Sequence, residues 1–169
     1  KPSTCTTENP KMYKPYWTTT LKQLLNNLPH GGRVAVLGVG NELRGDDAAG
    51  VQVARRLASL TAPGGDHLLV LEGGAAPEAF TGSLRRFAPQ LVLLIDVAGL
   101  GAAPGSVDVL SWAETTGLSA STHTMPPSLL GAYLTQSLGC QLALIGIQPL
   151  NLGLDEPLSA QVAHSVEQV

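Results

Sequence analysis

Four side chains in this sequence could bind a metal ion or move a proton. Asp46 and Asp47 follow a glycine-rich stretch, Asp96 follows five consecutive apolar residues, and His123 lies in a polar segment. Carboxylates and an imidazole form a hard and borderline ligand set without thiolate. Three protein ligands, such as Asp47, Asp96 and His123, would leave coordination positions open for another group. These residue types therefore predict a divalent-metal site, provided that the fold brings them together.

Each of these residues also has an ordinary structural explanation. Asp46 and Asp47 could cap the start of a helix and favour its dipole, although one aspartate suffices for that. Asp96 could cap a turn at the end of a strand. However, a carboxylate at the margin of an apolar sheet is costly unless it is paired or metal-bound. His123 could be a solvated loop side chain, so the four residues alone leave both interpretations open.

Other reaction classes find less support in the sequence. No Gly-x-Ser-x-Gly elbow is present, and neither cysteine has a neighbouring histidine or basic cluster. Nucleotide binding is a weaker alternative, because Gly38 and Gly40 begin a dinucleotide fingerprint but Leu43 stands where its third glycine is required. Asp46 and Asp47 would also repel a pyrophosphate at that helix start.

Composition narrows the class of protein. The chain has 169 residues, of which 44% are apolar and 14% charged, which predicts one folded domain. Its net charge of −3 argues against nucleic acid or an anionic membrane as the main partner. No apolar run is long enough for a transmembrane helix, and no secretory signal is visible. Cys5 and Cys140 are too far apart for a CxxC pair, so a reducing cytoplasm is the expected location.

Hydrophobic periodicity predicts helices alternating with apolar strands after an irregular, proline-containing tail at residues 1–16. The predicted helices are Thr18–Leu28, Asp46–Leu60, Pro77–Phe87, Pro127–Leu138 and Glu156–Val169, and the predicted strands are Arg33–Gly38, His67–Leu71, Gln90–Asp96, Gly105–Leu110 and Gln141–Ile147.

This alternation predicts an α/β fold, a three-layer α/β/α sandwich around a five-stranded, mostly parallel sheet. The connection between Asp96 and Gly105 is too short for a helical crossover, so one strand should be antiparallel. Open α/β sheets bind ligands outside the carboxyl ends of their parallel strands. Asp47, Asp96 and His123 are all expected at that edge.

Five segments, in this order and spacing, resemble the hydrogenase maturation endopeptidases, and most closely the branch that processes formate-hydrogenlyase-type hydrogenases. The resemblance covers about residues 33–169. The segments are GVGNELRGDDAAG (38–50), LEGGAAPE (71–78), LLIDVA (93–98), STHTMP (121–126) and GIQP (146–149).

The resemblance implies a single α/β peptidase domain at residues 17–169 with its core at 33–169. It implies an endopeptidase that removes the C-terminal extension of a NiFe hydrogenase large-subunit precursor after nickel insertion. The residues at the family's metal-contacting and catalytic positions are Asp47, Asp96 and His123. Nickel would arrive with the precursor, and the free enzyme is expected to be largely metal-free because the ligand set lacks thiolate.

Further residues are candidates for a supporting role. Asn41 and Asp46 could orient metal ligands, and Gly73 and Gly74 could wall a cleft for an extended peptide, although their simplest interpretation is a turn. A non-catalytic nickel-binding or scaffold protein of hydrogenase assembly is the alternative function. It would share the ligands but would cut no precursor.

Overall fold

The computed structural model describes residues 16–61, 65–115 and 127–169. Its helices and strands alternate along the chain, and two of the helices are preceded by a single 3₁₀ turn, Gly45–Ala48 and Pro77–Phe80. The elements are α1 (Tyr16–Asn26), β1 (Val34–Val39), α2 (Ala49–Leu60), β2 (Leu68–Gly74), α3 (Thr81–Phe87), β3 (Leu91–Val97), β4 (Val107–Ser111), α4 (Pro127–Leu138), β5 (Gln141–Ile147) and α5 (Ala160–Gln168).

The five strands form one sheet in the order β2-β1-β3-β5-β4. The pairs β1–β2, β1–β3 and β3–β5 are parallel, and β4 runs antiparallel to β5 at one edge. The predicted single antiparallel strand is therefore confirmed. The central strand β3 is buried along its whole length, as expected for a parallel strand covered on both faces.

Two apolar cores cover the two faces of the sheet. Alternate β3 side chains divide between them, Leu91, Leu93 and Ile95 on one face and Val92 and Leu94 on the other. Helices α1, α2 and α5 contribute to the first core, and α3 and α4 to the second. The α/β/α sandwich is thereby confirmed, and Asp96 falls on the face covered by α3 and α4.

Helix α2 approaches the sheet closely because glycines line the contact. A Cβ atom on Gly50 would lie 2.1 Å from the Ile95 carbonyl oxygen and 2.3 Å from that of Val39. A Cβ atom on Gly38 would lie 2.2 Å from the Gly50 carbonyl oxygen. Only glycine permits such an approach, which seats the first turn of α2 directly above the ends of β1 and β3.

The structure corrects several predicted boundaries: α1 spans Tyr16–Asn26 rather than Thr18–Leu28, and 3₁₀ turns replace the predicted first turns of α2 and α3. Gly73 and Gly74 are not a turn; they end strand β2, where Gly74 pairs with Val39. Helix α5 begins at Ala160 rather than Glu156, because the backbone and hydroxyl of Ser159 hydrogen-bond to a distant carboxylate described below.

Two smaller observations concern the chain as a whole. Tyr16, assigned to the tail, is the first residue of α1, and residues 1–15 lie outside the described part. Within the described ranges, no helix combines the length and apolarity needed to cross a bilayer.

Candidate functional site

Asp47 is a buried carboxylate, and only one of its two oxygens accepts a hydrogen bond from the described residues. Only 1% of its surface is exposed. Its Oδ2 accepts a hydrogen bond from the Asn41 amide at 3.0 Å. Its Oδ1 is buried and accepts none from the described residues. Because an unsatisfied buried carboxylate oxygen is destabilising, this atom is the clearest candidate for a ligand-binding group.

The loop between β1 and α2 holds Asp47 through its backbone. Gly40 has φ +144°, and a Cβ there would lie 1.8 Å from the Asp47 carbonyl oxygen. The Asn41 side-chain oxygen accepts the Leu43 amide at 3.0 Å, which fixes the residue whose own amide reaches Asp47. The backbone amide of Asn41 therefore orients the Asp47 carboxylate, and the role of Asn41 in supporting a metal ligand stays a prediction.

Asp96, predicted as the last residue of its strand, is the penultimate residue of β3. It is 5% exposed and pairs in register with Gly146 of β5. Its Oδ1 accepts the amide of the next residue, Val97, at 2.8 Å. The carboxylate is thus held near the carboxyl end of the central strand, at the edge that the open-sheet rule predicts.

The fold brings Asp47 and Asp96 to one edge of the sheet. The 3₁₀ turn that carries Asp47 contacts β3, and the neighbouring Gly50 lies against the Ile95 carbonyl. Among the described residues, no group of three or more His, Cys, Asp or Glu side chains is placed to hold a metal ion. His123, the third predicted ligand, lies outside them, so the three-residue site stays a prediction.

Asp46 has a different role from the predicted helix cap. It is completely buried, and its carboxylate reaches the segment between β5 and α5. Oδ2 accepts the amides of Leu150 and Asn151 at 2.7 and 2.9 Å and the Ser159 hydroxyl at 3.0 Å, and Oδ1 accepts the Ser159 amide at 2.7 Å. No side-chain cap bond forms at the 3₁₀ turn itself. Asp46 therefore joins two segments that are distant in sequence.

These contacts determine the acidity of Asp46. Burial acts to raise its pKa, but the amides of Asn151, Ser159 and Leu150 and the Ser159 hydroxyl stabilise the carboxylate and keep the pKa below its ordinary value. Nothing in the sequence near position 46 indicated these partners, because they lie more than a hundred residues away.

An exposed ion-pair network borders the same edge. The Arg55 guanidinium on α2 contacts Glu42, in the loop after β1, and Glu72, near the end of β2, each at 2.8 Å. The hydrogen bond from Arg55 lowers the pKa of Glu42. The network links α2 to the loop after β1 and to the end of β2 beside Gly73 and Gly74, whose proposed cleft-lining role remains a prediction.

The structure identifies one further carboxylate that sequence reasoning did not select. Glu78, in the 3₁₀ turn after β2, has a buried Oε2 that accepts no hydrogen bond from the described residues. The only sequence signal was its place in the segment LEGGAAPE, which drew attention to the glycines instead.

A family model and sequence relatives both match this chain to hydrogenase maturation proteases. A family model described as hydrogenase maturation protease, HycI, matches residues 51–169. The match includes Asp96 and position 123, and it begins after Asp47. The Escherichia coli K12 hydrogenase 3 maturation protease is 32% identical over 135 residues, which cover 79% of this chain and 84% of that protein.

Solved structures agree with the fold. The NiFe hydrogenase maturation protease HycI of Thermococcus kodakarensis superposes with a TM-score of 0.78 at 32% identity, covering 88% of this chain and 92% of that one. The Escherichia coli hydrogenase maturating endopeptidase HybD gives a TM-score of 0.61 at 26% identity, covering 80% and 86%.

Proposed function

Since this chain belongs to the hydrogenase maturation protease family, and is therefore a peptidase, we propose that it removes the C-terminal extension of a NiFe hydrogenase large-subunit precursor after nickel insertion. Nickel enters this reaction as part of the substrate. Asp47, Asp96 and His123 recognise the ion and so restrict cleavage to loaded precursor.

The observation that carries the proposal is the unpartnered Oδ1 of Asp47. A carboxylate buried to this degree needs a cation or a donor to be satisfied. Its second oxygen is held by the Asn41 amide, so the first has a fixed direction. Asp96 adds a second carboxylate at the same sheet edge, and the two fit the oxygen part of a nickel ligand set.

The fold also supports the inclusion of His123. This residue is four positions before Pro127, where α4 begins. Helix α4 buries Leu130 and Leu134 against the sheet face to which Asp96 belongs. In sequence, His123 therefore directly precedes an element of the layer that covers the Asp96 face of the sheet.

Binding through the substrate's metal would position the scissile bond. Fixing the peptide against the enzyme makes the reaction effectively intramolecular, which can supply a large part of the rate enhancement. Because the protein offers carboxylate and imidazole but no thiolate, thiolates of the precursor would hold the ion more strongly. Discrimination then depends on the ion being present in the precursor.

The experiment is precursor cleavage followed by mass spectrometry, with nickel-loaded and nickel-free precursor. Wild-type protein should release a C-terminal peptide from loaded precursor only. Asp47→Asn, Asp96→Asn and His123→Ala should each lower the rate by more than about 100-fold, beyond what loss of a supporting residue costs. Asp66→Asn is the matched control, because Asp66 is exposed and precedes β2, at the amino ends of the parallel strands.

Equal cleavage of nickel-free precursor would refute nickel recognition. Nickel binding by wild-type protein without any loss of a peptide would instead support the scaffold alternative. Undiminished cleavage by all three variants would exclude the residue assignment.

A further inference from the structure

Two buried carboxylate oxygens of the described residues have no hydrogen-bond partner, and both lie in 3₁₀ turns that follow neighbouring strands. Among the described residues, Asp47 Oδ1 and Glu78 Oε2 are the buried side-chain atoms that have no hydrogen-bond partner. Asp47 follows β1 and Glu78 follows β2, and these strands are adjacent in the sheet. Buried polar atoms are normally satisfied, so two exceptions at one edge call for a common explanation.

Backbone contacts tie the two strand ends together. Val39 and Gly74 pair at the end of the β1–β2 ladder, and the Gly40 amide donates to the Gly74 carbonyl at 3.0 Å. The same Gly40 lies against the backbone of Asp47. The chain reaches Glu78 four residues after Gly74, so the segment that carries Glu78 starts beside the one that positions Asp47.

Glu78 is held in place by its neighbours rather than by its own carboxylate. The preceding Pro77 is buried, and the 3₁₀ turn Pro77–Phe80 contacts both β1 and β2. Phe80 packs on the core that covers the Asp96 face of the sheet. The Thr81 hydroxyl donates to the Glu78 carbonyl at 2.9 Å, which satisfies the backbone while leaving Oε2 without a donor.

A carboxylate in the first turn of a helix is ordinarily explained by the helix dipole. That explanation accounts for a solvated Glu78 but not for a buried oxygen without a partner. Asp47 Oδ1 is a second such oxygen, in the segment that follows the neighbouring strand. A bound precursor would satisfy both oxygens, because its metal ion would face Asp47 Oδ1 and an N–H donor of its polypeptide would reach Glu78 Oε2.

From this arrangement we infer that Glu78 contacts the substrate, its Oε2 accepting a hydrogen bond from an N–H donor of the polypeptide that is cut. The inference rests on the proposed function and adds a binding residue to it. Asp47 would face the metal that the precursor carries, and Glu78 would grip the polypeptide beside it. The donor is either a backbone amide or a basic side chain, and the test separates the two.

The test measures kcat and KM for cleavage of nickel-loaded precursor by Glu78→Ala and Glu78→Gln, together with the melting temperature of each variant. Glu78→Ala should lower kcat/KM by about 10- to 100-fold, mainly through KM, as expected for loss of a hydrogen bond to a charged group. Its melting temperature should be unchanged or higher, because no internal partner is lost. Glu167→Ala, an exposed glutamate of α5, is the control and should behave as wild type.

Glu78→Gln identifies the donor, since glutamine keeps the acceptor and removes the charge. A loss of a few-fold in kcat/KM indicates a backbone amide, and a loss equal to that of Glu78→Ala indicates a basic side chain.

Unchanged kcat/KM in Glu78→Ala overturns the inference, and so does a fall in melting temperature that parallels the fall in activity. Weaker binding of nickel alone to the Glu78→Ala protein would mean that Glu78 binds the metal rather than the polypeptide. If wild-type protein cuts no precursor, the proposed function fails, whereas normal wild-type cleavage with an unaffected Glu78→Ala variant refutes only this inference.

Discussion

Asp46 and Asp47 are adjacent, chemically identical and almost completely buried, yet the protein uses them differently. Both oxygens of Asp46 accept hydrogen bonds, from Leu150, Asn151 and Ser159. Asp47 receives one bond, from the Asn41 amide, and one of its oxygens has no donor among the described residues. A carboxylate whose two oxygens both accept internal hydrogen bonds stabilises the fold, whereas one with an oxygen that accepts none is available to a ligand.

The direction of each side chain accounts for the difference. Asp46 reaches the segment between β5 and α5, which supplies three amides and a hydroxyl. Asp47 turns toward the loop after β1, where Gly40 lies against its backbone. Buried polar groups that lack a hydrogen-bond partner tend to mark functional sites. Here Asp46 has its partners, and the next residue, Asp47, has an oxygen without one among the described residues.

The largest effect on stability should come from Asp46→Ala. This change leaves three amides and the Ser159 hydroxyl without their acceptor, and we expect the free energy of unfolding to fall by about 3–5 kcal/mol. Urea denaturation followed by circular dichroism measures it. A loss below about 1 kcal/mol would show that the contacts of Asp46 do not hold the segment, and the contrast with Asp47 would disappear.

A smaller effect, centred on the other aspartate, is expected for Gly40→Ala. The added Cβ would collide with the Asp47 carbonyl oxygen, and φ +144° is unfavourable for alanine. We expect a loss of about 3 kcal/mol and a fall in precursor cleavage larger than the loss of folded protein explains. Comparison with Gly101→Ala is informative, since Gly101 also has positive φ but no atom near its Cβ position. Equal effects of the two changes on cleavage would argue against a positioning role for Gly40.

The mildest effect concerns pH. The pKa of Asp46 is lowered in the folded protein, so the unfolded chain binds its proton more readily. The resulting stabilisation is complete above the ordinary aspartate pKa of about 3.9 and is lost as the pH falls through the lower folded-state value. The difference in urea midpoint between wild type and Asp46→Asn should therefore be full at pH 6 and shrink toward pH 2.5. A difference that stays constant over this range would contradict the assigned role.

Local pattern was sufficient to predict most of the fold. The apolar runs that became β1, β3 and β5 are buried on both faces, and the short link after Asp96 correctly indicated an antiparallel edge strand. The same reasoning placed Asp96 at the carboxyl end of the central strand. These features depend on periodicity and connection length, which are properties of neighbouring residues.

Features that depend on distant contacts were not predictable in this way. The start of α5 and the role of Asp46 both follow from bonds between position 46 and Ser159, which no local pattern reveals. Gly73 and Gly74 were predicted as a turn because glycine favours turns, but pairing with β1 keeps them in the sheet. Glu78 was overlooked because burial of one oxygen is a tertiary property.

The most direct test of the contrast compares Asp46→Asn with Asp47→Asn, measuring the free energy of unfolding and the cleavage of nickel-loaded precursor on the same preparations. Asp47→Asn should keep or slightly increase the free energy of unfolding while losing more than about 100-fold in cleavage rate. Asp46→Asn should mainly lower the free energy of unfolding. If Asp47→Asn instead unfolds as readily as Asp46→Asn, or cuts precursor at the wild-type rate, then Asp47 is a structural residue and the nickel-recognition account is wrong.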